Sequence, residues 1–359
     1  MSPRLKSGLA IAGSFLLGGG LLYLALRGAD FAAVRDALRG GAWGWLVPLF
    51  VVSVASVAIR AWRWRLLLNA LPGKDTPTRP PVTFEVTFVS VTIGYLVNYA
   101  APRLGEFARA ANVSTRSDRT FPAVFGTVVA ERVLDVLTLG LALLLVAVLY
   151  GSRLDGIWAA FGEGIASALA SIPELSPGVI LGLVLGGIAV LALVWAAVRR
   201  AQSGLGGRLL GLADQFRQGI VALLRCRQRV ALALSTLLMW GCYVLMADIP
   251  LRLLGLSATY GLSLLDAFAL MAVGAVGMSL PSPGGAGSYH YATVLALTVL
   301  FGVAASPAAA YAVIGHAAQL LFYCVAGVAA LLWQGTSLSA IRTSAESVQA
   351  AGSAPTSAP

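Results

Sequence analysis

The sequence predicts an all-α, polytopic integral membrane protein with about six full spans and two re-entrant helical hairpins in an inverted repeat. Three observations predict it. Hydrophobic residues make up 58% of the chain and charged residues 11%, where a soluble domain carries about 25% charged. Long apolar runs stand at 8–26, 42–59, 82–101, 122–150, 177–198, 230–250, 263–280 and 307–333, each near the ~20 residues that cross a hydrocarbon core. A buried polar motif also occurs twice. The first copy is Asn98-Tyr-Ala-Ala-Pro-Arg-Leu-Gly-Glu106, then Glu131-Arg132-x-x-Asp135. The second is Pro281-Ser-Pro-Gly-Gly-Ala-Gly-Ser-Tyr-His290, then His316-x-x-Gln319. Glu106 and Glu131 lie 25 residues apart, and His290 and His316 lie 26 apart. No Lys or Arg stands between Arg252 and Arg342.

The elements follow in chain order. Run 8–26 follows Arg4 and Lys6 without a small-x-small cleavage site, so it reads as an uncleaved anchor. Lysines and arginines set the orientation. They concentrate at the N-terminus, in 60–81, in 102–121 and in 199–229, which carries seven arginines. All four segments are expected in the cytoplasm. Run 82–101 then cannot cross fully, since both its flanks are cytoplasmic. It must enter and turn back at the helix-breaking Tyr99-Ala-Ala-Pro-Arg-Leu-Gly. Such a turn is tolerated at membrane depth only against protein or a water-filled cavity.

Run 122–150 goes out, and 151–176 is expected as an external loop with an interfacial helix. Run 177–198 returns, and 199–229 reads as a basic amphipathic helix on the cytoplasmic face. Run 230–250 goes out, and 263–303 is a hairpin from outside, broken at Pro281, Pro283, Gly284, Gly285 and Gly287. The last span returns inside to a polar tail, 336–359. The single membrane domain, 1–335, thus holds inverted halves at 42–150 and 230–333, with both termini cytoplasmic in a cell (inner) membrane.

Several classes are excluded. A β-barrel would show short alternating strands. The net charge of +10 sits in membrane-flanking loops, so it is topogenic rather than a nucleic-acid signal. Cys226, Cys242 and Cys324 have neither metal-ligand spacing nor a disulfide framework. Neither a cofactor nor a metal is expected.

The candidate site is made of ionisable residues that are costly inside a membrane, by roughly 2.5–3.5 kcal/mol each. Glu131 and Asp135 share a helix face, and Arg132 can pair with Asp135. Two readings stand, a self-neutralising structural cluster or the lining of a headgroup path. Arg103, Glu106 and Arg109 flank the first tip, as topogenic charges or as a phosphate-binding rim. At the second tip, Gly284, Gly285 and Gly287 offer backbone amides to an anion, beside His290, His316 and Gln319. Arg60, Arg63 and Arg65, interleaved with Trp62 and Trp64, read as an interfacial anchor touching cytoplasmic lipid phosphates. Glu85, Asp248 and Asp266 read as interfacial.

Arg60-x-x-Arg-Trp-Arg, Pro102-x-x-Gly-Glu, Glu131-Arg-x-x-Asp and Pro283-Gly-Gly-x-Gly together resemble the lysylphosphatidylglycerol synthase transmembrane, or flippase-like, family over residues 5–335. His290 stands where many relatives carry a glutamate. The resemblance implies a domain that binds phospholipids and moves them between leaflets, here without the soluble aminoacyl transferase domain of full-length synthases. The expected function is therefore a transporter of an anionic phospholipid or lipid-linked intermediate, and not an enzyme. The alternatives are an integral enzyme of a glycolipid or hopanoid pathway, or an accessory protein that docks a pathway enzyme on 199–229. Partners are membrane lipids and such an enzyme, with no nucleic acid; an oligomer is compatible with the sequence.

Overall fold

The structure is a computed structural model that describes residues 16–71, 80–100, 104–169, 214, 217–280 and 282–335. The expected span 177–198, residues 199–213 and the tail 336–359 lie outside the described residues.

The described elements are helices. Helix α1 (Leu16–Leu26) turns by 82° into α2 (Phe31–Arg39). The break is set by Asp30, whose carboxylate accepts from the Ala32 amide at 2.9 Å and so starts a new helix. A 3₁₀ turn, Trp43–Trp45, leads into α3 (Leu46–Asn69). Then come α4 (Phe84–Ala100), α5 (Gly105–Thr115) and α6 (Phe121–Leu169). A helix over 217–225, here α7, precedes α8 (Arg229–Leu253), α9 (Leu256–Tyr260) and α10 (Leu264–Ser279). Past a 3₁₀ turn at Pro283–Gly285 follow α11 (Ser288–Phe301) and α12 (Ala305–Gln334).

Among the described residues, Trp43–Asn69, Phe121–Gly151, Arg229–Leu253 and Ala305–Gln334 are long and apolar enough to cross a membrane, and the bent α1–α2 pair adds a fifth candidate. The molecule is a polytopic, multi-pass membrane protein. Its lipid-facing stripes are legible in exposure. Leu137, Leu141, Leu144 and Val148 of α6 are exposed at helical spacing, as are Leu321, Val325, Val328 and Leu332 of α12. The segment 151–176, expected as an external loop with an interfacial helix, is helical as far as Leu169, continuous with α6, and 170–176 lie outside the described residues.

Helices α4 and α5 form one antiparallel hairpin, α10 and α11 another. The arms, of 17, 11, 16 and 14 residues, reach at most ~25 Å at 1.5 Å per residue, short of a ~30 Å core. Small residues close each hairpin. A Cβ on Gly94 would meet the Gly105 carbonyl at 3.0 Å and the Arg109 Cβ at 3.3 Å. A Cβ on Gly277 would meet the Ser288 carbonyl at 2.7 Å and the Ala292 Cβ at 2.9 Å. Backbones can approach this closely only where side chains are small.

The two hairpins sit in matching surroundings. Helices α3 and α8 pack antiparallel, with Leu49 beside Met246 and Ile249 at one end and Arg63 reaching Thr236 at the other. Helix α4 lies along α12, where Trp333 Nε1 donates to Glu85 Oε1 at 2.9 Å. Helix α10 lies along α6, where Tyr150 OH donates to Asp266 Oδ1 at 2.8 Å. In each case an acid at the start of a hairpin arm is held by an aromatic of a long helix from elsewhere in the chain.

Candidate functional site

Helical phase splits the Arg/Trp cluster of α3 into two faces. Arg60, Arg63 and Trp64 point inward and are buried. Trp64 Nε1 donates to Thr127 Oγ1 at 2.9 Å, fixing α3 against α6. The arginines reach the acids of α6. Arg63 Nη2 donates to Glu131 Oε1 at 2.8 Å and to Asp135 Oδ1 at 2.6 Å. Arg60 Nη2 donates to Asp135 Oδ2 at 2.9 Å, with Nη1 at 3.7 Å from Glu131. From α5, Arg109 Nη1 donates to Glu131 Oε2 at 2.8 Å, its guanidinium 4.8 Å over the Trp64 ring. Glu131, with no exposed surface, thus binds three guanidiniums.

Arg132 is held differently. It lies 4.0 Å from Glu106 and 3.8 Å from Asp135, and its side chain is 41% exposed. Glu106 is 24% exposed beside it. The cluster joins Arg60, Arg63, Arg109 and Arg132 to Glu106, Glu131 and Asp135. Four cations against three anions leave one positive charge in surplus. Among the described residues, Arg109 Nη2 is buried with no hydrogen-bond partner. A surplus charge and an unspent donor in low dielectric form an attractive seat for an anion.

These placements correct one expectation. Arg60 and Arg63 are not lipid-phosphate contacts at a surface, because their guanidiniums are buried and committed to carboxylates. Arg65 stays half-buried at the edge, with Nε donating to the Val82 carbonyl at 3.1 Å. Arg103 lies outside the described residues. Asn98 closes the first tip by accepting from the Gly105 amide at 2.8 Å.

The second tip turns on Gly284, Gly285 and Gly287, with φ of 58°, 78° and 85°, where a side chain is strained. Two of its amides are already used. Gly285 N–H donates to the Ser282 carbonyl at 3.1 Å, and Gly287 N–H approaches His290 Nδ1 at 3.4 Å. The expectation of bare amides at Gly285 and Gly287 is therefore corrected: they close the turn. Ser282 and Ser288 hydroxyls share a 2.6 Å hydrogen bond across its base. The tips meet, since a Cβ on Gly284 would lie 2.8 Å from Tyr99 Cδ1. His290 and His316 are buried with ring centroids 5.0 Å apart, and Tyr289 and Tyr99 stand 5.6 and 6.2 Å from His316. Gln319 is half-buried one turn further along α12.

An aromatic path joins the two clusters. Arg60 lies 5.9 Å from the Tyr95 ring, Tyr95 stacks on Tyr323 at 4.2 Å, and Tyr323 neighbours Tyr99 at 6.2 Å. Sequence reasoning missed Tyr95 and Tyr323. The available signal was the i, i+4 pair Tyr95 and Tyr99 on one face of an apolar helix.

The geometry also shifts the register of the doubled motif. Helices α3 and α8 begin at 46 and 229, α5 and α11 at 105 and 288, and α6 and α12 at 121 and 305. That spacing sets Tyr289, not His290, at the place of Glu106, and His316 at the place of Arg132. The pair Arg132–Glu106 in one half is matched by the ring contact His316–Tyr289 in the other.

The family model for the lysylphosphatidylglycerol synthase TM region matches residues 9–327, nearly the whole chain. The chain belongs to this family. It is also 28% identical to Glycosyltransferase AglD of Haloferax volcanii, over 96% of this chain and 58% of that protein. The chain thus spans little more than half the length of that relative. No solved structure matches it. As a member of the lysylphosphatidylglycerol synthase TM region family, the chain carries the Glu131-Arg132-x-x-Asp135 cluster at the junction of α3, α5 and α6.

Proposed function

We propose that this chain moves an anionic phospholipid or a lipid-linked intermediate between the leaflets of a cell membrane. The observation that carries the reading is the meeting of two hairpin tips, Tyr99 on Gly284, at a histidine–tyrosine cluster that an aromatic path links to the cationic cluster. Residues 42–150 and 230–333 act as inverted halves in this reading. Their common spacing, the antiparallel α3 and α8, and the matched pins Glu85–Trp333 and Asp266–Tyr150 support it. Inverted repeats expose a site at their interface to either side by rocking one part against the other.

Arg132, with Glu106 beside it, is the headgroup contact, because its guanidinium is the exposed and loosely held one. Arg60, Arg63 and Arg109 shape the field behind it. Transport needs an anion to bind and also to leave. The second half provides the exit, since it carries His316 where the first carries Arg132. Both termini face the cytoplasm in this reading, as the arginine-rich loops require.

The test is purified full-length chain in liposomes with head-labelled fluorescent phosphatidylglycerol and an impermeant quencher. The expected result is quenching beyond the outer-leaflet share, slowed about tenfold or more by Arg132→Ala through loss of a charge-assisted contact. Quenching limited to the outer leaflet sinks the reading. The printed name of the archaeal relative favours a second reading, a membrane module of lipid-glycan assembly. A lipid covalently altered by the chain and a sugar donor would establish it instead.

A further inference from the structure

The face of α3 turned away from the buried cluster carries Trp62, Arg65, Leu66 and Asn69, at i, i+3, i+4 and i+7. It does not face bare lipid. The turn Arg225–Gln228, between α7 and α8, stands across from it and closes a cleft of about 460 Å³. Both walls are anchored. Asn69 accepts from the Val82 amide at 2.9 Å and donates to its carbonyl at 3.2 Å, which holds the end of α3. Helix α7 is seated on α6 so closely that a Cβ on Gly219 would lie 2.4 Å from the Ala123 carbonyl.

Three arginines line this cleft, Arg65, Arg225 and Arg227. Arg65 spends Nε on the Val82 carbonyl. Among the described residues none of the three has a carboxylate partner, whereas Arg217, a few residues earlier, is paired with Asp214 at 2.7 Å. An arginine cluster with unspent forks beside an indole matches a phosphate bearing an apolar or planar body.

We propose that this cleft is a phosphate-binding site, separate from the buried cluster, which takes a phosphate group between Arg65, Arg225 and Arg227 with Trp62 as its floor. The site does not depend on the transport reading, because its readout is binding alone. Phosphate reaches such a cleft from two sources, an anionic lipid headgroup or a soluble phosphate.

The experiment compares the solubilised full-length chain with Arg225→Gln/Arg227→Gln and with Arg229→Gln. Arg225 and Arg227 are exposed, so the double variant folds, checked by size exclusion. Arg229 carries the same charge in the same segment but does not line the cleft. Native mass spectrometry with dioleoylphosphatidylglycerol against dioleoylphosphatidylcholine reads the lipid arm, and calorimetric titration with inorganic phosphate reads the soluble arm. The expected result is a selective phosphatidylglycerol adduct in wild type and Arg229→Gln, reduced about tenfold in the double variant. Trp62→Leu should weaken it in the same direction. A tenfold loss confined to inorganic phosphate supports the site with a soluble ligand. Equal behaviour of the double variant and Arg229→Gln in both arms overturns it.

Discussion

At the scale of single residues, Glu131 and Arg132 are chain neighbours with opposite duties. Glu131 is fully buried and takes two hydrogen bonds shorter than 3 Å from Arg63 and Arg109. Removing one partner of a buried pair costs about 3–5 kcal/mol, because the other charge is left uncompensated. Glu131→Ala is therefore expected to lower the midpoint of thermal unfolding in detergent sharply and to reduce the folded yield. Arg132 is half-exposed, with contacts of 3.8 and 4.0 Å. Pairs of that kind are worth only about 0–1 kcal/mol. Arg132→Ala should leave the unfolding midpoint nearly unchanged while slowing lipid movement. Equal loss of stability in both variants would make the cluster a single structural unit, and Arg132 would lose its assignment to the headgroup. Sequence alone made Glu131, Arg132 and Asp135 visible, because charge inside an apolar run is expensive. It did not show where Arg60 and Arg63 go, because arginines near the end of a span are ordinarily topogenic. Only the helical phase set against a second helix sends residues 60, 63 and 64 inward and 62, 65 and 69 outward.

At the scale of elements, each hairpin closes on a glycine packed against the opposite arm. A Cβ on Gly105 would fall 2.0 Å from the Gly94 carbonyl and 2.6 Å from Asn98. These neighbours are backbone and a committed amide, so α4 and α5 would have to part. Gly105→Val is expected to separate the arms, pull Arg109 from Glu131, and abolish folded protein on size exclusion. Gly140 is the control, since it has open space around it on α6. Gly140→Ala should be silent or slightly stabilising through helix propensity. If Gly105→Val and Gly140→Ala give the same yield, the close approach does not hold the hairpin. The breakers in both tips were legible in sequence, since Pro and Gly interrupt apolar runs. The contact between the tips was not, since Tyr99 and Gly284 are distant in sequence and their meeting follows from α4 lying along α12. The same distance hid the pins. Glu85 and Asp266 each read as an interfacial acid, yet each is bound to an aromatic far away in the chain, Trp333 or Tyr150.

At the scale of the whole molecule, the arrangement stands or falls on whether the loop after the first hairpin and the loop before the second lie on opposite sides of the membrane. The structure supplies exposed positions for the decision. Asp118 lies exposed between α5 and α6, and Ala258 lies exposed on α9, between α8 and α10. Ser288, at the second tip, is buried and serves poorly as a labelling site. Single cysteines at Asp118 and Ala258, in a background with Cys226, Cys242 and Cys324 replaced by serine, should separate cleanly. An impermeant thiol reagent added to whole cells is expected to label Ala258→Cys and spare Asp118→Cys, which should react only after the membrane is opened. The arginines explain the direction, with Arg116 and Arg119 flanking Asp118 and no Lys or Arg between Arg252 and Arg342. Labelling of both positions from outside would place the two hairpins on one side. That outcome would contradict the antiparallel packing of α3 against α8, and a rocking exchange between leaflets would lose its geometric basis.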